Sequence, residues 1–476
     1  MGFPDYAEYD GLGLAELVRE GQVTPAELTE AAIERIERHN GALNAVVHRA
    51  FEEARSCASG RLPDGPFRGV PFLVKDLGCP VAGMPRTSGS RFLRDEVSPE
   101  DGELTRRYRA AGVVILGKTN TPELGITGTT ESAHLGPCRN PWNPDHISGG
   151  SSGGAAAATA AGIVPLAHAS DGLGSIRIPA ACCGLFGLKT TRDRNPGGPH
   201  DPGRAIGMGV DHVVSRTVRD SAAMLDATGG PEPASPYAPP PKQRPYLEEI
   251  AQPPGRLRIA FSGETPSGRP IHDDNRRALE ETVTLLGELG HELVERDLGI
   301  DYRAFYRAQG IVSAANAAAN LVELTERVGR EPEQDELEPL TWAGIERGRR
   351  LSGERVMGAW RQLRVSGREI LALFEDFDVY LTPVLGTPPP LIGHIDPVNL
   401  DPREVGRRQA RAFPFTPPFN VTGQPAMSVP LGWTEGGLPL GMQFAGRYAD
   451  EATLFRLAAQ LETAQPWSTR RPRIWG

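Results

Sequence analysis

Gly149-Gly150-Ser151-Ser152-Gly153-Gly154 sets two serines among four glycines. Glycine permits positive φ and close backbone approach, so such a turn can aim hydroxyls and amides at one point. A flexible linker has the same composition, but it has no reason to run straight into the Ala-rich stretch that follows. A second glycine-bearing turn, Asp171-Gly172-Leu173-Gly174-Ser175-Ile176-Arg177, comes after an apolar run at 163–167. Such a turn exposes successive backbone N–H groups, as an oxyanion hole requires, and puts the Ser175 hydroxyl beside them. Alone, this segment reads as an ordinary strand-to-helix connection. Lys75 closes the apolar run 70–74. A lysine there commonly snorkels to solvent. Near two serines it can instead be a partly buried base, its ammonium form disfavoured by desolvation. The chemistry these groups could share is nucleophilic, because a serine hydroxyl needs an adjacent base to attack a carbonyl.

Two other motifs compete. Gly112-Val113-Val114-Ile115-Leu116-Gly117-Lys118-Thr119 satisfies the P-loop pattern of a nucleotide-binding protein. Its middle is a strand-like apolar run, whereas a phosphate cradle needs a turn there. Gly150-Ser151-Ser152-Gly153-Gly154 fits the elbow of an α/β-hydrolase-like esterase with Ser152 as nucleophile and His134, His146 or His168 as base. That elbow needs a strand directly before it, and Asn140-Pro141-Trp142-Asn143-Pro144 reads as loop.

The elements that must hold these residues are legible in the apolar pattern. The first 55 residues read as helices, with Thr24-Pro25-Ala26-Glu27 as a capping box and Leu28, Ala32 and Ile36 on one face. Runs at 70–74 and 113–116, rich in β-branched residues, read as buried strands around a helix at 103–111. The stretch 153–161 reads as a helix stopped by Gly162, and 163–167 as the next strand. Residues 229–255 are Pro-rich and read as a surface crossing. Strands follow at 256–261 and 291–295 around a helix at 274–289. The stretch 302–377 is mostly helical. Strands return at 379–382, 426–430 and 440–444 before a closing helix at 450–464. Strands alternating with helices predict a mostly parallel α/β sheet. We read one domain over 1–476: an N-terminal helical segment (1–60), a catalytic core (61–228), a variable helical wall for the substrate (229–400) and a return to the sheet (401–476).

Composition excludes several classes. At 39% hydrophobic and 23% charged over 476 residues, the chain is globular with ample core. Net charge is −9 and the densest basic stretch, 403–411, reads as a solvated helix face, so no nucleic-acid partner is expected. Five cysteines, an odd number without CxxC spacing, read as reduced thiols of a cytoplasmic protein, and adjacent Cys182 and Cys183 would side badly as ligands of one zinc. No run of 18 apolar residues and no signal-peptide pattern is present, so no membrane association is expected.

Together the three segments resemble the amidase signature family. The region 149–190 carries the serine-glycine run, Asp171, Gly174-Ser175-Ile176-Arg177, Pro179-Ala180 and Gly184-Leu185-Phe186-Gly187-Leu188-Lys189. Pro71-Phe72-Leu73-Val74-Lys75-Asp76, Gly117-Lys118-Thr119-Asn120 and Pro418-Phe419-Asn420-Val421-Thr422-Gly423-Gln424-Pro425-Ala426 also fit. The resemblance covers most of the chain and is weakest across 230–400. His168-Ala169-Ser170-Asp171 and Ser175-Ile176-Arg177-Ile178-Pro179-Ala180 look closer to bacterial broad-range amidases, including the 6-aminohexanoate cyclic-dimer hydrolase type, than to membrane-bound lipid amidases.

The resemblance implies an α/β fold with a central twisted mixed β-sheet of many strands, covered by helices on both faces. It implies amide hydrolysis through an acyl-enzyme, without metal or cofactor. The base is Lys75, the relay serine is Ser151 after a cis peptide bond, and the nucleophile is Ser175. The oxyanion amides fall on Gly172, Leu173, Gly174 and Ser175, supported by Asp171 and Arg177. Substrate contacts are expected at Gly125 and Ile126, and specificity at 125–131, 302–319 and 413–420. The expected partner is a small-molecule amide, on a monomer or homodimer. Many family members carry Gly at the position of Leu173, where a side chain would narrow the site and a positive φ would be strained. A family relative with another role, the glutaminase-type subunit of a tRNA-dependent amidotransferase, is the alternative. A binding module without catalysis is disfavoured because all three catalytic positions are filled.

Overall fold

Pro71–Lys75 (β2) and Val114–Thr119 (β3) are buried along their whole length, which is why each reads as a near-continuous apolar run. They pair in parallel, Pro71 opposite Val114 and Lys75 opposite Thr119. The computed structural model describes residues 3–198, 204–233 and 235–476. Met1 and Gly2 of the acidic N-terminus and Ala234 of the Pro-rich crossing lie outside them.

The remaining strands are Val46–Arg49 (β1), Glu131–Ser132 (β4), Gly136–Pro137 (β5), Leu166–Asp171 (β6), Phe186–Lys189 (β7), Val210–Ser215 (β8), Arg258–Phe261 (β9), Glu292–Glu295 (β10), Val379–Pro383 (β11), Ala426–Trp433 (β12) and Pro439–Gly446 (β13). β4 and β5 form a small pair, and the others make one 11-stranded sheet in the order β1-β3-β2-β6-β8-β7-β12-β13-β11-β9-β10.

The sheet is mixed, not mostly parallel. β2 pairs in parallel with β3 and β6, and β9 with β10 and β11. β8, however, runs antiparallel to both β6 and β7, and β12 antiparallel to both β7 and β13. Periodicity missed β7 and β8 because polar residues lie inside them. Lys189, Asp211, His212 and Ser215 are all buried, so their pattern reads as loop while the tertiary structure buries it.

The N-terminal segment also departs from the helical reading. The helix Pro25–Leu43 has the predicted capping box, Thr24 Oγ1 accepting from Glu27 N (3.2 Å) and Glu27 Oε2 accepting from Thr24 N (2.8 Å). It stops at Asn44, whose φ of 50° is left-handed, and Val46–Arg49 becomes the edge strand β1 against β3. Asn40 fixes the reversal, its Oδ1 accepting from the N–H groups of Ala45 (2.9 Å) and Val46 (2.7 Å). Four residues are too few to register as a strand within a helical pattern.

Helices cover the sheet. Leu28 and Ile36 join Phe72, Val114 and Leu166 in one core cluster, and Leu286 and Leu461 join Leu381 and Phe444 in another. The helices Tyr302–Val328 and Gly353–Asp376 contribute Phe305, Val312, Leu363 and Ile370 to a third cluster with Tyr380 and Phe419. No helix of the described residues is long and apolar enough to cross a membrane.

Candidate active site

Parallel pairing of β2 with β6, Leu73 opposite Ala167, brings the C-terminal ends of both strands to the same edge of the sheet. Ligand sites of open α/β sheets form at such edges. β2 ends at Lys75 and β6 at Asp171. Lys75 is fully buried, and its Nζ is hydrogen-bonded to Ser151 Oγ (2.7 Å) and Ser170 Oγ (3.0 Å).

The serine-glycine turn is wedged into place by its glycines. A Cβ at Gly149 (φ 77°) would lie 2.7 Å from Pro179 Cα, and one at Gly150 2.6 Å from the Thr129 carbonyl oxygen. The Gly150–Ser151 peptide bond is cis. Ser152 clamps the turn to β6, accepting from Ser170 N and donating to Ser170 O, both at 3.2 Å.

That clamp removes the esterase elbow, since Ser152 is fully buried and committed to backbone. His168 is committed as well. Its Nδ1 accepts from the Lys75 N–H (3.2 Å), so the proton sits on Nε2, which faces Asp211 Oδ1 (3.0 Å). The P-loop motif is strand β3 itself. Its Lys118 is buried and donates to Cys79 O (2.8 Å) rather than facing a phosphate site.

The second turn is organised by Asp171. Its Oδ1 accepts from Gly174 N (2.6 Å) and Asn420 Nδ2 (2.8 Å), and its Oδ2 from Ile176 N (3.2 Å). Arg177 closes a fully buried bidentate pair, Nε to Oδ2 and Nη2 to Oδ1, both at 3.0 Å. Burial alone would raise the Asp171 carboxyl, but the Arg177 charge and these hydrogen bonds hold it well below the usual carboxylate range. Arg177 also donates to Thr416 O (2.9 Å), Gln443 Oε1 (2.6 Å) and Asn420 Oδ1 (2.6 Å). Lys189 interacts with the same pair, and burial first and Arg177 second push its ammonium down to about 7.

This arrangement sorts the turn's amides. The Gly174 N–H is taken by Asp171, which removes it from the expected oxyanion donors. The N–H groups of Gly172, Leu173 and Ser175 donate to no acceptor among the described residues. The positive φ falls on Gly174 (130°), not on Leu173, so Leu173 carries no left-handed strain. A Cβ at Gly174 would meet Thr416 Oγ1 at 2.3 Å. The Leu173 side chain packs on the cluster under the helices Tyr302–Val328 and Gly353–Asp376.

Ser175 is partly exposed, in contrast to Ser151, and the two share no hydrogen bond in this structure. Gly125 (φ 68°) borders the serine turn, and a Cβ there would lie 3.2 Å from Ser151 Oγ. Ile126 is 40% exposed beside it.

Sequence reasoning missed Ser170 and Gln443, and it placed Thr416 only within the specificity stretch 413–420 and not as a brace of the turn. Ser170 sits at the end of a buried strand, where nothing in its spacing marks it. Thr416 and Gln443 lie more than two hundred residues from the turn they hold. Four cysteines are buried and Cys57 is half-buried, all as free thiols.

The sequence model of the Amidase family matches residues 27–455. The chain belongs to the amidase family. It is a hydrolase of amide C–N bonds with the amidase-signature fold. This amidase is 36% identical to the 6-aminohexanoate-cyclic-dimer hydrolase of Paenarthrobacter ureafaciens, over 98% of this chain and 96% of that one. A solved 6-aminohexanoate cyclic dimer hydrolase, complexed with substrate, superposes with a TM-score of 0.93 at 35% identity over 99% of this chain and 100% of that chain. A bacterial aryl acylamidase of the amidase signature enzymes superposes with a TM-score of 0.87 at 28% identity, over 97% of each chain.

Proposed function

We propose that this amidase cleaves small amides through a Lys75–Ser151–Ser175 relay and an acyl-enzyme, accepting aryl amides, short oligoamides or carbamates. The observation that carries the reading is the 2.7 Å contact of buried Lys75 Nζ with Ser151 Oγ, beside a turn whose three undonated amides surround partly exposed Ser175. Burial withdraws the hydration an ammonium needs, which favours the amine as resting base. Lys75 takes the Ser151 proton while Ser151 takes that of Ser175, and Ser175 Oγ bonds to the carbonyl carbon. The carbonyl π pair moves to oxygen, held by the N–H groups of Gly172, Leu173 and Ser175. The relay returns its proton to the leaving nitrogen, the C–N bond breaks and amine departs. Water then adds to the acyl-enzyme by the same relay, releasing the acid and restoring Ser175.

The oligoamides and aryl amides follow the relatives, one named for a cyclic dimer of 6-aminohexanoate and one an aryl acylamidase, and carbamates extend the same acyl chemistry. Gly125, which borders Ser151, and exposed Ile126 beside it carry no charge, which favours neutral substrates. The test is labelling with a serine-reactive fluorophosphonate and mapping of the modified peptide. Label on Ser175 that disappears in Lys75→Ala supports the relay. Label on Ser152, or none on folded protein, sinks it. A panel of aryl amides, oligoamides and carbamates without turnover by labelled-competent enzyme overturns the substrate classes alone.

A further inference from the structure

Behind the turn Glu123–Gly125 lies a cavity of about 410 Å³, within the range of small-molecule sites. None of Lys75, Ser151 and Ser175 lines it. Its wall includes Arg91, Glu123, His134, Glu338, Trp342 and Glu346, and it is strongly acidic. We propose that this cavity binds a primary ammonium on a short apolar stem, with Glu338 as its counter-charge and Trp342 against the stem.

Most of the polar groups in the wall are already engaged. Arg91 donates to the carbonyls of Asp335 (3.3 Å) and Ala133 (3.2 Å). Glu123 accepts from Ser90 Oγ (2.8 Å) and from Glu338 N (2.7 Å). Glu336 is paired with Arg330 at 2.6 and 2.8 Å. Trp342 Nε1 donates to Gln334 O (3.1 Å), and its partly buried ring packs beside Leu337 and Ile345 while lining the cavity.

Glu338 differs. It is only 5% exposed, and its Oε1 accepts from Ala133 N (2.8 Å), but its Oε2 has no partner among the described residues. An unpaired buried acceptor is costly to leave unmade. Burial first and Glu123 second push the Glu338 carboxyl up to about 8, with Asp396 adding to the rise and Arg91 opposing it. With no cation paired to it among the described residues, the carboxyl keeps its proton at neutral pH, and an ammonium docked against it would displace that proton and leave the carboxylate as its counter-charge. An ammonium offers three donors and a charge, and an aromatic face attracts both cation and stem. A bare divalent ion fits less well, because calcium wants six or more oxygen ligands. Hydrolysis of an N-alkyl amide or an aliphatic oligoamide releases an alkylamine, which is protonated at neutral pH, so that part of the proposed substrate range supplies this ligand class.

The test is calorimetric titration of the full chain with n-butylammonium chloride, with n-butanol as the uncharged analogue. Saturable binding of the cation is expected, weakened about tenfold or more both in Glu338→Gln and for n-butanol. No saturable heat, or equal affinity in Glu338→Gln, overturns the proposal. Should Glu338→Gln fail to fold, Trp342→Leu carries the same comparison. Protein whose reactive serine has been blocked by fluorophosphonate should bind the cation unchanged. Loss of binding on blocking would put the cation in the catalytic cleft instead and overturn the separate site.

Discussion

Thr416 Oγ1 donates to Leu173 O at 2.6 Å, so a residue 243 positions downstream fixes the peptide that precedes Gly174. Gly174 leaves no room for a Cβ against the same threonine, and the two turns are fitted to each other. Thr416→Val keeps the shape and removes the donor. We expect kcat to fall about tenfold with KM little changed, because the amides would lose aim at the developing oxyanion. Stability should drop by about 1 kcal/mol. Steady-state kinetics and urea unfolding check both, and an unchanged kcat refutes the coupling.

Lys75→Ala tests the base. Turnover of any accepted amide should fall about a thousandfold while the chain stays folded. Near-wild-type activity with an unaltered circular dichroism spectrum would mean that the relay is misassigned.

Asp171 and Arg177 form a buried pair whose partners are all satisfied. Asp171→Ala strands the Arg177 charge and releases the N–H groups of Gly174 and Ile176. Such a break costs about 3–5 kcal/mol. Chemical denaturation of the variant measures it, and a loss below about 1 kcal/mol would show that the pair is dispensable to the fold.

Glu338 makes stability depend on pH. Its carboxyl titrates at about 8 in the fold against a usual 4.5. Between those values the folded state binds the extra proton, so this group's contribution falls as pH rises from about 4.5 to about 8 and is level outside that window. Glu338→Gln removes the dependence. Its melting temperature relative to wild type should therefore rise between pH 5 and pH 8.5, by a margin worth a few kcal/mol at most. A constant difference across that range would contradict the assignment.

The proposed relay has no step that calls for a metal. Incubation with a chelator should leave the amidase rate unchanged. A loss restored by added metal would reopen the mechanism.

Of the proposed relay, the serine-glycine run stood out by itself, whereas Lys75 and Ser175 each read alone as an ordinary strand end or turn and took their proposed roles from the family resemblance. Four glycines around two serines, running straight into an Ala-rich helix, have few structural uses. The buried strands β2 and β3 were legible for the same local reason, as were the capped helix Pro25–Leu43 and the long helices. Strand direction was not, because β7 and β8 hide polar residues that only their partners make tolerable inside the sheet: His168 for Asp211, Ser221 for His212. The sequence alone therefore determined which groups could act and on which elements they ride, since residue type and backbone permissiveness are local properties. The tertiary structure alone decided which amides stay undonated, that Ser170 joins Lys75, and that Thr416, Asn420 and Gln443 brace the turn. Those contacts join residues far apart in the chain, and hydrogen bonds of that kind exist only once the sheet has brought its strand ends together.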